Sequence, residues 1–146
     1  MNFAGILAGG KGTRMGRTDL PKQFLTLGTK PIIIHTIEQF LVSKDIDYII
    51  VAVPDNWINY TQDIIDKYCK NDKIIIIQGG KSRNDTVMNI CKYIKENFEI
   101  TDDDFVITHD SVRPFITQRI IEDNIKMCKK YGATDTVIPA SDTIVE

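Results

Sequence analysis

Apolar residues in this chain fall into short continuous runs that alternate with helix-spaced stripes, and the alternation predicts its elements. The run Phe3-Ala4-Gly5-Ile6-Leu7-Ala8 reads as a buried strand ending in a glycine-rich loop. Pro31 then opens a segment in which Ile33, Ile34, Ile37, Phe40 and Leu41 recur at helical spacing, the proline being tolerated in the first turn. Tyr48-Ile49-Ile50-Val51-Ala52-Val53 is a continuous β-rich run closed by Pro54-Asp55-Asn56, as expected of a strand covered on both faces. A helix follows over 57–68, then a short strand over 74–77 that ends at Gly79-Gly80. Asn84 or Asp85 is expected to cap the next helix, with Val87, Met88, Cys91 and Ile94 as its apolar stripe. Phe105-Val106-Ile107-Thr108 reads as a fourth strand. Thr117 caps a helix carrying Ile120, Ile121, Ile125 and Cys128, Gly132 stops it, and 133–138 reads as a fifth strand.

Strand and helix in regular alternation predict an α/β fold of Rossmann-like type: a mainly parallel sheet with helices on both faces, joined by right-handed crossovers. Ligands of such sheets bind beyond the carboxyl ends of the strands. Three polar clusters follow strands directly, at 9–22, 79–85 and 109–113, so they are expected to converge on one rim.

Composition narrows the picture. With 146 residues, 42% hydrophobic and 26% charged, the chain is expected to form a single globular domain without repeats, linkers or low-complexity tracts. A net charge of −2 argues against a nucleic-acid partner, yet residues 1–30 hold five Lys/Arg against one acid. Positive charge is thus concentrated beside the glycines. No secretion signal is recognisable and no apolar stretch approaches the roughly 18 residues of a membrane span, so the expectation is a cytoplasmic protein with no membrane partner. Cys69, Cys91 and Cys128 are widely spaced and lie in helical patterns, which favours buried free thiols over disulfides, metal ligands or a nucleophile.

The loop after the first strand interleaves Gly9, Gly10, Gly12 and Gly16 with Lys11, Arg14 and Arg17, and Lys22 follows Pro21. Glycine lets backbone N–H groups approach an anion, and fixed cations offset charge that would repel an incoming nucleophile. A polyphosphate suits such a loop; a plain turn with solvated lysines is the alternative. The register excludes a Walker A loop, because Gly10-Lys11 is followed by Gly12 and only then by Thr13. A dinucleotide fingerprint also fails, since the glycines are out of step and the acid at Glu38 falls within a helix. What remains is a set of cations and backbone donors facing Asp110 on another strand end, with no Ser, Cys or His triad. Phosphoryl or nucleotidyl transfer needs those parts, because there the protein mainly positions reactants and neutralises charge. Asp110, hard and charged, is then the natural Mg²⁺ ligand; its alternative is a turn or helix cap.

Five blocks in order, GILAGGKGTRMG, LPKQF, GGKSRNDTV, THDSVRPF and ASDTI, resemble the cytidylyltransferase family that includes methylerythritol-phosphate and ribitol-5-phosphate cytidylyltransferases. The GILAGG opening, Asn84-Asp85-Thr86 and THDSVRPF are more similar to the ribitol-phosphate branch. The resemblance implies transfer of CMP from CTP to a polyol phosphate, D-ribitol 5-phosphate first, giving CDP-ribitol and pyrophosphate with Mg²⁺ as cofactor. It implies Arg14 and Lys22 as the catalytic cations on the triphosphate and α-phosphorus. Leu7, Ala8, Gly9, Gly10, Lys11, Gly12, Gly80, Arg83, Asp85 and Thr86 then line or support the nucleotide site. Asp110 becomes the metal ligand, and Arg113 and Thr143 the contacts to the acceptor phosphate. Residues 1–146 are expected to be the CTP-binding domain of a longer, homodimeric parent, cut before an arm and a final segment that supply a further acid and lysine; a natural short form that finds those groups elsewhere is the alternative. Cytidylyl transfer to 2-C-methyl-D-erythritol 4-phosphate in isoprenoid synthesis and a non-catalytic nucleotide-binding module are the competing readings.

Other conspicuous residues are expected to be structural. His35 lies on a helix, and His109 is expected to orient its loop or touch ligand without serving as a base. Trp57 and Tyr60 read as packing. Asp102-Asp103-Asp104 precedes its strand, so it belongs to a solvated turn on the opposite rim.

Overall fold

The computed structural model describes residues 1–10 and 20–139. In chain order the elements are β1 (Asn2–Leu7), a 3-10 turn (Lys22–Phe24), β2 (Thr26–Leu27), β3 (Lys30–Pro31), α1 (Ile32–Val42), β4 (Tyr48–Val53), a second 3-10 turn (Asp55–Trp57), α2 (Ile58–Tyr68), β5 (Ile74–Gln78), α3 (Arg83–Asn97), β6 (Phe105–Asp110) and α4 (Gln118–Tyr131). β2 and β3 form a small antiparallel hairpin that the apolar pattern does not announce. The remaining strands make one parallel sheet in the order β5-β4-β1-β6. The chain steps outward from β1 to β4 and β5, then returns to the other side of β1. The strand order therefore reverses between β1 and β6, and it is there that a parallel sheet opens a crevice at its carboxyl edge.

Helices cover both faces, as the pattern predicts. Ile33, Ile37, Ile65 and Ile121 from α1, α2 and α4 pack with Ala4, Ile6, Ile49 and Val51 on one side. Ile90 and Ile94 of α3 pack with Phe3, Leu7, Ile50 and Ala52 on the other. Successive strand side chains point to opposite faces, so only a strand covered twice buries every position from Ile49 to Val53. α3 comes close to β1 because residue 5 is glycine: a Cβ there would lie 3.1 Å from Ile90 Cδ1. No helix among the described residues is long and apolar enough to cross a membrane.

Three expectations require correction. Ser82, not Asn84 or Asp85, is the N-cap of α3, its hydroxyl accepting from the Asp85 N–H while the Asp85 carboxylate accepts from the Ser82 N–H. The reason is reciprocity, since Ser-x-x-Asp satisfies two free donors at once. The buried stripe of α3 is Thr86, Ile90 and Ile94, whereas Met88 is 59% exposed. Helical rotation from the true cap carries residue 88 away from the sheet. No strand forms over 133–139; Val137 and Ile138 are 78% and 85% exposed. Strand propensity is context-dependent, and these residues have no ladder partner among the described ones.

The three cysteines are free and half-buried. Burial, reinforced by the negative charge of Glu38, pushes the Cys69 thiol up to about 11 from 9.0. At pH 8 its thiolate population is expected to be about a hundredfold below that of an unburied thiol, because the thiolate alone is the nucleophile. Iodoacetamide labelling at pH 8 followed by peptide mapping should leave Cys69 the least modified of the three. Modification of Cys69 ahead of both others would contradict the burial argument.

Candidate functional site at the strand-order reversal

The rim is assembled from three loops, each leaving the carboxyl end of a strand. Leu7 ends β1 directly opposite Asp110, the last residue of β6, so the sequence-based end at Thr108 falls two residues short. Beyond this pair the Ser111 N–H still donates to the Leu7 carbonyl at 3.1 Å, while the Ala8 N–H donates to Ala52 of β4 at 2.9 Å. The β1 end is thereby fixed to both neighbours just before Gly9 and Gly10.

From β5, Gly79 is tied back to β4 by its N–H, which donates to the Val53 carbonyl at 2.7 Å. Thr86, buried in the first turn of α3, then fastens the loop internally. Its hydroxyl accepts from the Gly80 N–H at 3.0 Å and donates to the Ser82 carbonyl at 2.8 Å. Gly80 lies so close to α3 that a Cβ there would come within 2.2 Å of Asp85 Cβ. A Cβ at Gly9 would meet the Thr86 hydroxyl at 3.3 Å, so the first and second loops touch.

The third loop reaches the second through charge. Arg113 Nε donates to one carboxylate oxygen of Asp110 at 3.0 Å, and the Arg83 guanidinium lies 3.5 Å from the other. Arg83 and Arg113 are mostly exposed, at 65% and 73%, so their remaining N–H groups are available to an anion. Strand alternation separates the neighbours His109 and Asp110. Asp110 shares the α3 side with Leu7; His109 is opposite Ile6 and packs against the Phe40 ring at 5.4 Å. Burial pushes the His109 imidazole below its usual range, against the opposing pull of the Arg113 carbonyl and the Asp110 charge. The neutral ring donates from Nε2 to that carbonyl at 3.0 Å. It orients the loop, as the sequence suggests.

Of the candidates, Leu7, Ala8, Gly9, Gly10, Gly80, Arg83, Asp85, Thr86, Asp110 and Arg113 gather on this rim, and Lys22 is exposed on its 3-10 turn. Lys11, Gly12, Arg14 and Thr143 lie outside the described residues. Trp57 and Tyr60 pack on Phe24, at 5.1 Å each between ring centroids. His35 Nε2 pairs with the Leu27 carbonyl at 2.8 Å, bracing the hairpin. Asp104 is more than a solvated acid: it accepts from the Thr101 N–H and pairs with the Met1 ammonium. Two rim residues escape sequence reasoning. Ser82 could have been found from the Ser-x-x-Asp pattern. Gln23, whose buried side-chain amide donates to the Ala8 carbonyl at 2.8 Å, leaves no signal in the linear sequence.

Among the described residues no three His, Cys, Asp or Glu side chains cluster to cage a metal. Mg²⁺ rarely needs such a cage, because it keeps several waters and is usually held by one or two carboxylates plus substrate phosphates. Asp85 is engaged in capping α3, which leaves Asp110 as the rim carboxylate that would hold such an ion.

A parallel sheet with its reversal between β1 and β6, and a glycine-lined, arginine-bearing rim at that point, define a Rossmann-like α/β domain. The chain belongs to the IspD family, 2-C-methyl-D-erythritol 4-phosphate cytidylyltransferase, whose model matches residues 3–146. Among similar solved structures is 4-diphosphocytidyl-2C-methyl-D-erythritol synthase from Anaerococcus prevotii DSM 20548, at 26% identity and TM-score 0.69, covering 88% of this chain and 51% of that one. The Francisella tularensis 2-C-methyl-D-erythritol 4-phosphate cytidylyltransferase is 29% identical with TM-score 0.69, over 88% of this chain and 52% of its own. A further 4-diphosphocytidyl-2C-methyl-D-erythritol synthase, 22% identical, shares the fold at TM-score 0.75 over 98% of this chain and 62% of that one. The chain thus spans between half and two thirds of the length of these three proteins.

Proposed function

We propose that residues 1–146 form the CTP-binding domain of an enzyme that transfers CMP from CTP to the phosphate of a polyol phosphate. The observation that carries this reading is the meeting of Gly9, the Gly80–Thr86 loop and the Arg83–Asp110–Arg113 cluster at the reversal point, in a chain of a cytidylyltransferase family. An acceptor phosphate monoester, with its second pKa near 6, is already a dianionic nucleophile at neutral pH. Its oxygen forms a bond to the α-phosphorus as the bridge to the β-phosphate breaks, and pyrophosphate leaves with that electron pair. No general base is required, which agrees with a half-buried His109 committed to a carbonyl. Arg14 and Lys22 hold the triphosphate and the charge that builds on the α-phosphoryl group, and Arg113 and Thr143 receive the acceptor phosphate. A divalent cation at Asp110 offsets phosphate charge when bound.

For the acceptor we infer 2-C-methyl-D-erythritol 4-phosphate, which the matched family and the Francisella relative name. D-ribitol 5-phosphate is the second reading, favoured by GILAGG, Asn84-Asp85-Thr86 and THDSVRPF. Pyrophosphate release from CTP and Mg²⁺ with each acceptor in turn, beside calorimetric titration with CTP, separates the possibilities. Faster release with the methylerythritol phosphate is expected. Faster release with ribitol 5-phosphate reassigns the acceptor; saturable CTP binding without release from either is the result for a non-catalytic module or for a domain without the parent's further acid and lysine; and no CTP binding removes the nucleotide reading itself.

A further inference from the structure

The rim owes one of its fixed points to a side chain that no strand or helix pattern calls for. Gln23 is 2% exposed, in the middle of the 3-10 turn Lys22–Phe24, and its Nε2 donates to the Ala8 carbonyl at 2.8 Å. Ala8 is the residue between the end of β1 and Gly9, so this amide ties the glycine loop at its root to the turn that bears Lys22. The neighbouring Phe24, also 2% exposed, plugs the same turn into the Trp57 and Tyr60 rings at the start of α2. Backbone bonds close the turn itself, Phe24 N–H to Pro21 at 2.9 Å and Leu25 N–H to Lys22 at 3.2 Å. Gln23 and Phe24 point into the protein while Lys22, between Pro21 and Gln23, is exposed. A flexible lysine on an anchored turn keeps its ammonium within a small volume; the same lysine on a free loop would have to be localised anew at each ligand encounter.

We propose that Gln23 is a positioning residue for Lys22: its buried amide, by holding the Ala8 carbonyl, sets the distance between the Lys22 turn and the glycine loop so that both meet one triphosphate. The proposal rests on the reading of Lys22 as a triphosphate contact. Leucine at 23 keeps apolar volume but donates nothing, leaving the Ala8 carbonyl without its partner. The effect on ligand must pass through Lys22, and this separates positioning from a general structural role.

The test is a double-mutant cycle on this chain with CTP·Mg²⁺ as the probe, read by the fluorescence of Trp57, the chain's single tryptophan, whose ring lies 5.1 Å from that of Phe24. Gln23→Leu is expected to weaken CTP about tenfold in the parent background and to add nothing in a Lys22→Ala background. Hydrogen exchange, which needs no ligand, runs beside it: the Phe24 and Leu25 amides are expected to exchange about tenfold faster in Gln23→Leu, with α3 unchanged. Equal losses of CTP affinity in both backgrounds overturn the positioning role, and unaltered exchange at Phe24 and Leu25 overturns the anchor. Where Gln23→Leu does not fold, Gln23→Met, unbranched and equally without a donor, takes its place. A parent chain that takes no CTP refutes the nucleotide reading and the positioning role built on it, while the exchange measurement still decides separately whether Gln23 holds the turn.

Discussion

Lys22→Ala is expected to slow pyrophosphate release from CTP by about 10²- to 10³-fold, the usual consequence of deleting one preorganised electrostatic contact to a transition state. The size follows from what the reaction lacks. In the proposed reaction no nucleophilic side chain and no general base contribute, so the barrier would be lowered by placement and by charge opposite the α-phosphoryl group. Lys22 is exposed, and the turn beneath it is held by Gln23 and Phe24, so the substitution removes an ammonium without opening the core. Urea unfolding of the variant should therefore match that of the parent. A rate unchanged by the substitution, at unchanged stability, would take Lys22 out of the proposed chemistry.

Gly80→Ala is expected to destabilise the domain by about 3 kcal/mol, at the upper end for overpacking. The added methyl would come within 2.2 Å of Asp85 Cβ, and within 2.6 and 2.7 Å of the Asp85 carbonyl carbon and the Thr86 nitrogen. Two of those neighbours are backbone in the first turn of α3 and cannot swing aside, so the loop must leave the helix. The Gly80 N–H then loses the Thr86 hydroxyl, and that hydroxyl is part of the contact with Gly9. CTP affinity should fall together with the unfolding midpoint. Gly10→Ala provides the comparison, since no atom of the described residues lies within 4 Å of its added methyl, and it should stay within about 0.5 kcal/mol of the parent. Equal stability of the two variants would show that the loop relaxes freely and does not define the site.

Much of this follows from the linear order of residues. The run 48–53 can only be satisfied as a strand with apolar cover on both sides, and the structure places it second from the sheet edge with five buried positions. Thr117 and Gly132 bound α4 as read, because capping is a local transaction between a side chain and the nearest free backbone groups. The same locality makes the Ser82–Asp85 box readable in principle, although the apolar stripe behind it points to the wrong cap. The segment over 133–138 has the composition of a strand but no ladder partner among the described residues. Its failure to form one shows that a ladder needs a neighbour as well as a propensity.

The sequence by itself determined which residues reach a strand end and which chemistry they bring: glycines and cations after β1, a second glycine loop after β5, and an acid with an arginine after β6. Side-chain alternation, also a property of sequence, put His109 and Asp110 on opposite faces. Only the tertiary structure decided that β6 lies beside β1, which sets Asp110 opposite Leu7 and within reach of Arg83, and that Gln23 grips the Ala8 carbonyl fifteen positions back. The physical reason is range. Caps, stripes and turns are settled by groups a few residues apart, whereas strand order and a buried amide's choice of carbonyl depend on how whole elements share one core.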